Sequence, residues 1–324
     1  GIILAFFYSK LKKQYAIILL GAFILIDMWS INKRYLNEEN FAPQREVKNP
    51  FQKSKADQLI LNDQEKNFRV LNLAVNTFND ASTSYYHHSI GGYHGAKLQR
   101  YQEMIDFHIQ PEMQNIIRTL QGKNINRQQI DSILRQQEVL NMLNTKYIIY
   151  NQNQPPLQND HRLGPAWFVE KARVVPDAEA EIHALGDFNP ANTAIVDQDF
   201  EDHLQGRNYT RDTNATITLT HYEPNQLKYD YQAKSQQLVV FSEIYYPKGW
   251  RLYIDGERAG LFRANYILRA AVIPEGSHQL EMRFKPRSYY TGNKISGVSS
   301  IILLLFTGLV LGYEIFRFFR DNKG

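Results

Sequence analysis

The chain of 324 residues contains no cysteine, which excludes disulfide-bonded scaffolds, thiolate zinc sites and cysteine nucleophiles. It also has little net charge, because 37 Lys and Arg residues face 33 Asp and Glu residues and leave a formal charge of +4. Such a small and dispersed excess does not favour a nucleic-acid partner, and none is predicted. P-loop, dinucleotide-binding, nucleophile-elbow and H-E-x-x-H motifs are missing as well. What remains is a globular composition, with 43% apolar and 22% charged residues and a length typical of two or three domains.

Long apolar runs lie at both ends of the sequence. Residues 295–316 contain a single charge, Glu314, and at 1.5 Å per residue they are long enough to span a hydrocarbon core of about 30 Å. Arg317 and Arg320 enclose two phenylalanines directly after this run, as expected for an interfacial anchor. We therefore predict a C-terminal transmembrane helix; the alternative is a buried core helix.

The apolar run near the start is shorter. Residues 15–31 follow a basic flank of lysines, a pattern that transmembrane helices share with secretory signal peptides. No small-residue cleavage site follows, and residues 1–7 are themselves apolar, so we predict the end of one span, a basic turn and a second span. Slightly more basic residues flank the spans on the side of that turn, which favours an extracytoplasmic location for residues 32–294.

The part between the spans changes its periodicity near residue 150. Before this point, apolar residues at helical spacing mix with short strands. Residues 151–165 are the predicted linker, and residues 166–175, with a short helix near 177–185, connect the two portions. The second portion contains segments that alternate apolar and polar residues with period two: 215–222, 226–233, 237–246, 250–254, 266–273 and 278–284.

These patterns predict an α+β fold in which a mixed α/β domain is followed by an antiparallel β-sandwich or jelly-roll, with transmembrane helices on either side. The N-terminal membrane part covers residues 1–31, and the mixed extracytoplasmic domain covers residues 32–155. The extracytoplasmic β-sandwich covers residues 156–290. Residues 291–324 form the C-terminal transmembrane helix and a short cytoplasmic tail.

The densest group of chemically active side chains lies in one glycine-containing loop, residues 85–102. The candidate substrate-binding residues of this loop are Tyr86, His87, His88, Tyr93, Lys97 and Arg100. Glycine backbone at the start of a helix, with basic side chains nearby, suits a phosphate or a glycan. The alternative is a structured loop whose His and Tyr side chains satisfy backbone groups. Adjacent histidines of an extended chain point apart and no H-x-x-x-H pair is present, so no metal site is predicted.

Trp250 is the candidate substrate contact in the second portion. It begins a predicted strand after the string Tyr-Tyr-Pro-Lys-Gly, and an indole ring suits stacking on the C–H face of a sugar. A tryptophan at the start of a strand is also ordinary sandwich core, and this alternative is the simpler one. Asp255, which precedes a glycine, is predicted as a turn residue.

Several strings, taken together, resemble the bacterial YfhO family of multi-span membrane proteins. They are Asp27-Met28-Trp29, Arg34-Tyr35-Leu36, Phe68-Arg69-Val70, residues 85–102, residues 143–147, residues 241–256, Ala264-Asn265-Tyr266 with Arg269, Pro274-Glu275-Gly276 with His278, and the terminal span. The family tends to show Pro-Gly-Trp where this chain has Pro247-Lys248-Gly249-Trp250. The resemblance therefore does not define the form of this turn.

The resemblance implies a multi-pass protein of the bacterial cytoplasmic membrane, similar to the GT-C glycosyltransferases. Those enzymes use a polyprenyl-phosphate-linked sugar and place acidic catalytic residues in an early extracytoplasmic loop. On this resemblance the sequence is a C-terminal region, and its catalytic acid is expected upstream of Gly1. The implied partners are membrane lipid, the lipid-linked sugar, an envelope glycan and the membrane helices of the upstream part. A divalent metal is a candidate cofactor of the full-length protein.

Two functions are compatible with the sequence. In the first, the chain is the C-terminal part of a glycosyltransferase that acts on a cell-envelope glycan, and the loop at 85–102 approaches the lipid phosphate or the acceptor. In the second, it is a non-enzymatic, membrane-anchored envelope protein whose ectodomain is a glycan-binding or assembly module. Neither function identifies a catalytic residue within the sequence.

Overall fold

The computed structural model describes residues 12–48, 50–65, 67–122, 125–210 and 212–321. The chain forms two compact units, Gly1–Lys53 and Ser54–Gly324. The predicted end of an earlier span, residues 1–7, lies outside the described residues.

The first unit consists mainly of helix α1, Lys13–Tyr35. The most apolar 18-residue stretch of Gln14–Tyr35 has a mean hydropathy of 1.8, and almost all side chains of this range are exposed. The predicted apolar run at 15–31 therefore lies within a helix that is long and apolar enough to cross a membrane. A 3₁₀ turn at Glu38–Asn40 and the short helix α2, Gln44–Lys48, follow it.

The second unit begins with a mixed helical part. Its helices are α3 (Lys55–Leu61), α4 (Ser82–Tyr86), α5 (Gln99–Met104), α6 (Gln110–Leu120), α7 (Arg127–Arg135) and α8 (Glu138–Met142). A π-helical turn, Ile105–Ile109, joins α5 to α6. Ser54 caps α3 by accepting a hydrogen bond from the Asp57 N–H at 3.1 Å, which satisfies one of the N–H groups that the first turn leaves unpaired.

A three-stranded sheet accompanies these helices. Strand β1 (Arg69–Asn72) pairs in parallel with β2 (Thr145–Ile149), and β2 pairs antiparallel with β3 (Leu157–Gln158). The predicted linker at 151–165 therefore needs correction, because it contains a strand. The two residues of β3 follow a pair of prolines and are too few to show a periodicity in the sequence. Their extended form comes from pairing with β2.

Two antiparallel sheets make up most of the remainder. Their strands are β4 (Ala166–Val169), β7 (Thr216–Glu223), β8 (Gln226–Ala233), β9 (Gln237–Ile244), β10 (Trp250–Ile254), β11 (Glu257–Ala259), β12 (Phe262–Ala264), β13 (Leu268–Ile273) and β14 (Gly276–Phe284). The five-stranded sheet has the order β11-β10-β14-β8-β7, and the four-stranded sheet has the order β12-β13-β9-β4. The predicted α+β class and its antiparallel sheets are confirmed.

The segment predicted to connect the two portions is itself part of the β structure. Strand β4 lies at the edge of the four-stranded sheet, where Phe168 pairs with Val239. Strand β5 (Lys171–Val175) and strand β6 (Thr193–Asp197) form a separate parallel pair, and helix α9 (Ala178–Ala184) crosses between them. The segment 166–175 is thus more than a connection, since it forms the mostly buried strand β4 and the strand β5, in which Lys171 and Arg173 are exposed. The short helix predicted near 177–185 is confirmed as α9.

The four-stranded sheet is buried on both faces. Along β9, Val239 and Phe241 face the five-stranded sheet, in a core that also contains Tyr229. Leu238 and Val240 face the opposite way, into a larger core shared with the helices of the mixed part. Burial on both sides explains why β9 is almost continuously apolar and not alternating. The mixed part and the sandwich therefore share one core within the second unit.

The chain continues into helix α10, Arg287–Asp321. Its most apolar stretch has a mean hydropathy of 2.2, and none of that stretch is buried. The alternative of a buried core helix is excluded, since the apolar side chains of α10 face outwards on every side. The helix is long and apolar enough to span a membrane.

Candidate functional site

The glycine-containing loop folds back onto Thr77. The Gly92 N–H donates to the Thr77 carbonyl at 2.7 Å, and a Cβ added to Gly91 would lie 1.9 Å from the same oxygen. Only glycine fits at position 91, and the φ of Gly92 is +115°, a value that also favours glycine. This close approach directs the following residues, which include Tyr93, outwards into a groove.

The groove, which we call the aromatic groove, has a volume of about 470 Å³. Its principal side chains are Phe78, Tyr93, His94, Lys97, Leu98 and Tyr101. Tyr93 is 71% exposed. The Lys97 ammonium donates to the Gln102 side-chain oxygen at 3.0 Å and lies 5.6 Å from the centre of the Phe78 ring. The structure thus brings together two of the predicted site residues, Tyr93 and Lys97.

Tyr86, His87 and His88 lie beside a second groove of about 350 Å³. The His87 ring is almost fully buried, and its Nε2 lies 2.9 Å from Oδ1 of Asp57. Burial alone would raise the pKa of Asp57, but hydrogen bonds from His87 and Ser54 lower it. His87 therefore secures the loop to helix α3.

His88 faces a different environment. Its ring meets Tyr222 edge to face, with the ring centres 5.2 Å apart. Burial and the positive charge of Arg69 lower the pKa of His88, which favours its neutral form. His88 and Arg69 together line a small polar cavity.

Arg100 does not join Lys97 in the aromatic groove. Its guanidinium donates to the fully buried Glu181 at 3.3 Å and lies 4.5 Å from the centre of the Tyr266 ring. Glu181 also accepts hydrogen bonds from Arg263 at 3.2 Å and from the Tyr266 N–H at 2.9 Å. Burial raises the pKa of Glu181, and the charge of Arg263 opposes this shift most strongly. Arg100 thereby links helix α5 to helix α9.

Trp250 lies at the start of β10, on the five-stranded sheet. Its ring is half-buried and packs against Phe284, with the ring centres 5.2 Å apart. The Arg269 guanidinium lies 3.9 Å from the centre of the Trp250 ring system. Trp250 is therefore packed against the sandwich core, apart from the loop residues.

A polar cluster that sequence reasoning missed lies between β1 and the sandwich. This arginine cluster consists of Arg69, Tyr222, Tyr229, Glu243 and Arg269. Arg69 donates to the carbonyls of Leu143 at 2.8 Å and Ser242 at 2.6 Å, and it lies 3.9 Å from Glu243. The adjoining cavity holds about 30 Å³, which is enough for a water molecule but too small for a sugar.

Two members of the arginine cluster, Arg269 and Tyr229, are buried. Arg269 is 3% exposed, and its Nε–H donates to the Ile244 carbonyl at 3.1 Å. Burial lowers the pKa of Arg269, and the nearby Glu243 opposes this shift. The Tyr229 hydroxyl is buried with no hydrogen-bond partner among the described residues, and burial raises its pKa well above the ordinary value. A lone arginine in the apolar strand β13 was the one signal in the sequence that pointed to this cluster.

The residues present do not fit a resident divalent metal. Within the described ranges, no three His, Asp or Glu side chains are grouped so that they could hold an ion. The acids Asp63 and Glu65 are instead neutralised by Lys146, at 2.5 and 2.9 Å. We therefore derive no step through a metal.

Helices α1 and α10 are each long and apolar enough to cross a membrane, and the chain between them folds into helices and mostly antiparallel sheets. Residues 194–296 match the family described as Bacterial membrane protein YfhO. The match runs from strand β6 into the start of helix α10, and over these residues the resemblance predicted from the sequence is confirmed. Comparisons with curated proteins and with solved structures gave no significant match.

Proposed function

We propose that the chain is the substrate-holding part of a membrane glycosyltransferase that uses a lipid-linked sugar. The observation that carries the proposal is the aromatic groove, where the exposed Tyr93 and the half-buried Lys97 line an open space of about 470 Å³. This volume lies within the range of small-molecule sites. The YfhO match over residues 194–296 supports a membrane setting for this site.

The chemistry of the groove suits a phosphorylated sugar. Aromatic rings can cover the C–H faces of a pyranose, and a lysine ammonium can neutralise one phosphate oxygen. No carboxylate lines the groove among the described residues, so the acidic catalytic residue that the GT-C resemblance implies is not part of its lining. We therefore assign it binding and orientation, and we place the catalytic acid in another part of the protein.

The proposed setting is a multi-pass protein of the bacterial cytoplasmic membrane, with the region between α1 and α10 extracytoplasmic and an envelope glycan as acceptor. The two apolar helices and the family match support the membrane part of this proposal. A cysteine-accessibility assay in whole cells tests the orientation. Since these 324 residues contain no cysteine, Lys234→Cys introduces a thiol that is unique within this region, which a membrane-impermeant reagent should label.

Binding tests the groove directly. We expect Tyr93→Ala and Lys97→Ala each to weaken binding of a polyprenyl-phosphate sugar by about tenfold, equivalent to about 1.4 kcal/mol. The matched control is Lys234→Ala, which removes an exposed lysine outside the groove. Unchanged binding by both groove variants would remove the groove from the substrate site.

A non-enzymatic glycan-binding or assembly module is the second candidate. The carboxylate-free groove favours it, because none of the described lining residues is the acidic residue that the GT-C enzymes use for catalysis. Glycan transfer in cells separates the two functions. Under the first, the groove variants reduce transfer in proportion to binding; under the second, deleting the protein leaves transfer intact.

A further inference from the structure

The end of the sandwich that leads into helix α10 exposes aromatic and basic side chains from two segments. The turn at residues 246–249 contributes Tyr246 and Lys248, both exposed. Lys285 and the beginning of α10 contribute the remaining members. We call this set the junction surface: Tyr246, Lys248, Lys285, Arg287, Tyr289 and Tyr290.

The two segments are held together. The Lys285 N–H donates to the Gly249 carbonyl at 2.9 Å, which ties the turn to the residue that follows β14. The Phe284 ring packs against Trp250 on one side, and its centre lies 6.4 Å from that of Tyr246. Lys285 in turn lies 5.8 Å from the centre of the Tyr290 ring. The junction surface is therefore one structured patch.

The distance from this patch to the apolar run is short. Helix α10 begins at Arg287 and its apolar run at residue 295, an axial rise of about 12 Å. A headgroup layer is about 5–8 Å deep beyond the hydrocarbon core. When α10 crosses a bilayer, its first turns lie in or just above the headgroups. The turn at 246–249 is held to those first turns through Lys285.

We propose that the junction surface docks onto the phosphate headgroups of anionic phospholipids. Tyrosine and lysine at the end of a transmembrane helix suit the membrane interface, where rings and alkyl stems lie in the boundary and charged groups reach phosphate. Neither residues 245–251 nor residues 285–294 contain an acid, so the patch has positive charge alone. The inference depends on α10 crossing the membrane and not on the glycosyltransferase proposal.

Proximity is tested with single-cysteine variants in lipid nanodiscs. Lys248→Cys carries a fluorophore, and the bilayer contains lipids with a nitroxide on the headgroup. We expect the nitroxide lipids to quench this fluorophore strongly. The control is Lys234→Cys, which follows the end of β8 that pairs with Gly276, at the opposite end of β14. At about 3.4 Å per residue these ends are about 27 Å apart, so the control fluorophore should stay bright. Equal quenching of the two labels would overturn the proposal.

Lipid preference is tested with the same labelled protein. Exchanging zwitterionic for anionic phospholipid should increase the quenching of the label at position 248 by about twofold. Lys285→Gln with Arg287→Gln should abolish this increase, whereas Lys234→Gln should preserve it. An increase that survives the double substitution, or no increase in the parent protein, would contradict an anionic headgroup as the partner.

Discussion

At the scale of single residues, the structure explains the Ala264-Asn265-Tyr266 string. Asn265 and Tyr266 both have positive φ, at 49° and 68°, a conformation that asparagine tolerates better than most residues. The Asn265 side-chain oxygen accepts a hydrogen bond from the Ile195 N–H at 2.8 Å, and the Asn265 backbone N–H donates to the Ile195 carbonyl at 2.8 Å. Asn265 thus joins β6 to the turn between β12 and β13.

Replacing this asparagine tests both roles. Asn265→Ala should lower the free energy of unfolding by about 3 kcal/mol. It leaves the buried Ile195 N–H unpaired, and it places alanine in the left-handed region, which alanine tolerates less well than asparagine. Asn265→Gly should cost less, since glycine relieves the backbone term. Asn214→Ala, at an exposed position, is the control. Urea unfolding in detergent measures the three differences, and equal losses for Ala and Gly would exclude the backbone contribution.

Glu112 predicts a pH dependence of stability. Its carboxylate accepts hydrogen bonds from the N–H groups of Val139 and Leu140 at 2.8 and 2.9 Å, yet burial raises its pKa to about 8. Since the folded pKa is above the ordinary value of 4.5, the folded state binds the proton more tightly. The contribution of Glu112 is therefore fully present below pH 4.5 and is lost as the pH rises towards 8.

The test compares the wild type with Glu112→Gln, which cannot ionise. Melting temperatures of both proteins are measured between pH 4.5 and 9. The wild type should lose stability relative to the variant as the pH rises through this window. The pH dependence that comes from all other titratable groups is common to both proteins and cancels when the two melting temperatures are subtracted. Parallel curves would show that Glu112 is already ionised in the folded state.

At the scale of elements, the strands were predictable where one face is solvent-exposed. Strand β8 alternates buried and exposed side chains, and its bounds at Gln226–Ala233 coincide with the predicted segment. Strands β3 and β4 were not predictable, because pairing with β2 and β9 places them and no local pattern does. The loop at 85–102 shows the same limit. Tyr93 and Lys97 meet through local geometry, whereas Arg100 is drawn away by Glu181, which lies 81 residues further along the chain.

The turn before β10 makes a prediction at this scale. Gly249 has a φ of +130°, and a Cβ there would lie 2.6 Å from the Phe284 ring and 3.2 Å from Cβ of Pro286. Gly249→Ala should therefore cost about 2–3 kcal/mol from backbone strain and crowding. Gly256→Ala measures the backbone strain alone, because Gly256 has a φ of +88° but a Cβ there would meet no atom within 4 Å. Gly95→Ala is the control, since position 95 has neither a positive φ nor a close neighbour. Thermal unfolding should rank the variants in that order, and a Gly249 variant no worse than Gly256→Ala would exclude the steric contribution.

At the scale of the whole molecule, Arg69 connects regions that are distant in sequence. It donates to carbonyls 74 and 173 residues away, one in the mixed part and one on β9 of the sandwich. No local pattern could predict such a bridge, or the arginine cluster around it, because its members come from β1, β7, β8, β9 and β13. The mixed part and the sandwich share a core beside this bridge and are expected to unfold together.

Removing the bridge should weaken that cooperativity. Arg69→Met keeps much of the side-chain length but leaves two carbonyls without their donor, at an expected cost of about 3 kcal/mol. Arg135→Met is the control, since Arg135 is exposed and its pair with Asp131 contributes at most about 0.5 kcal/mol. Urea unfolding followed by a fluorophore at Gln128→Cys, on α7 of the mixed part, and by one at Lys234→Cys, after β8 of the sandwich, should give separate midpoints in the Arg69 variant. Coincident midpoints would place the coupling in the apolar core alone.

Strand β14 has a consequence for the order of synthesis. It lies between β10 and β8 in the five-stranded sheet, yet it is the last of these strands to be translated. Only Lys285 and Pro286 separate it from α10. The sheet therefore stays open, with the edges of β8 and β10 unpaired, until the ribosome is about to deliver the apolar helix to the bilayer. Closure of the sandwich and insertion of the helix thus fall in the same short interval of translation, so a delay at the membrane prolongs the exposure of an aggregation-prone sheet edge.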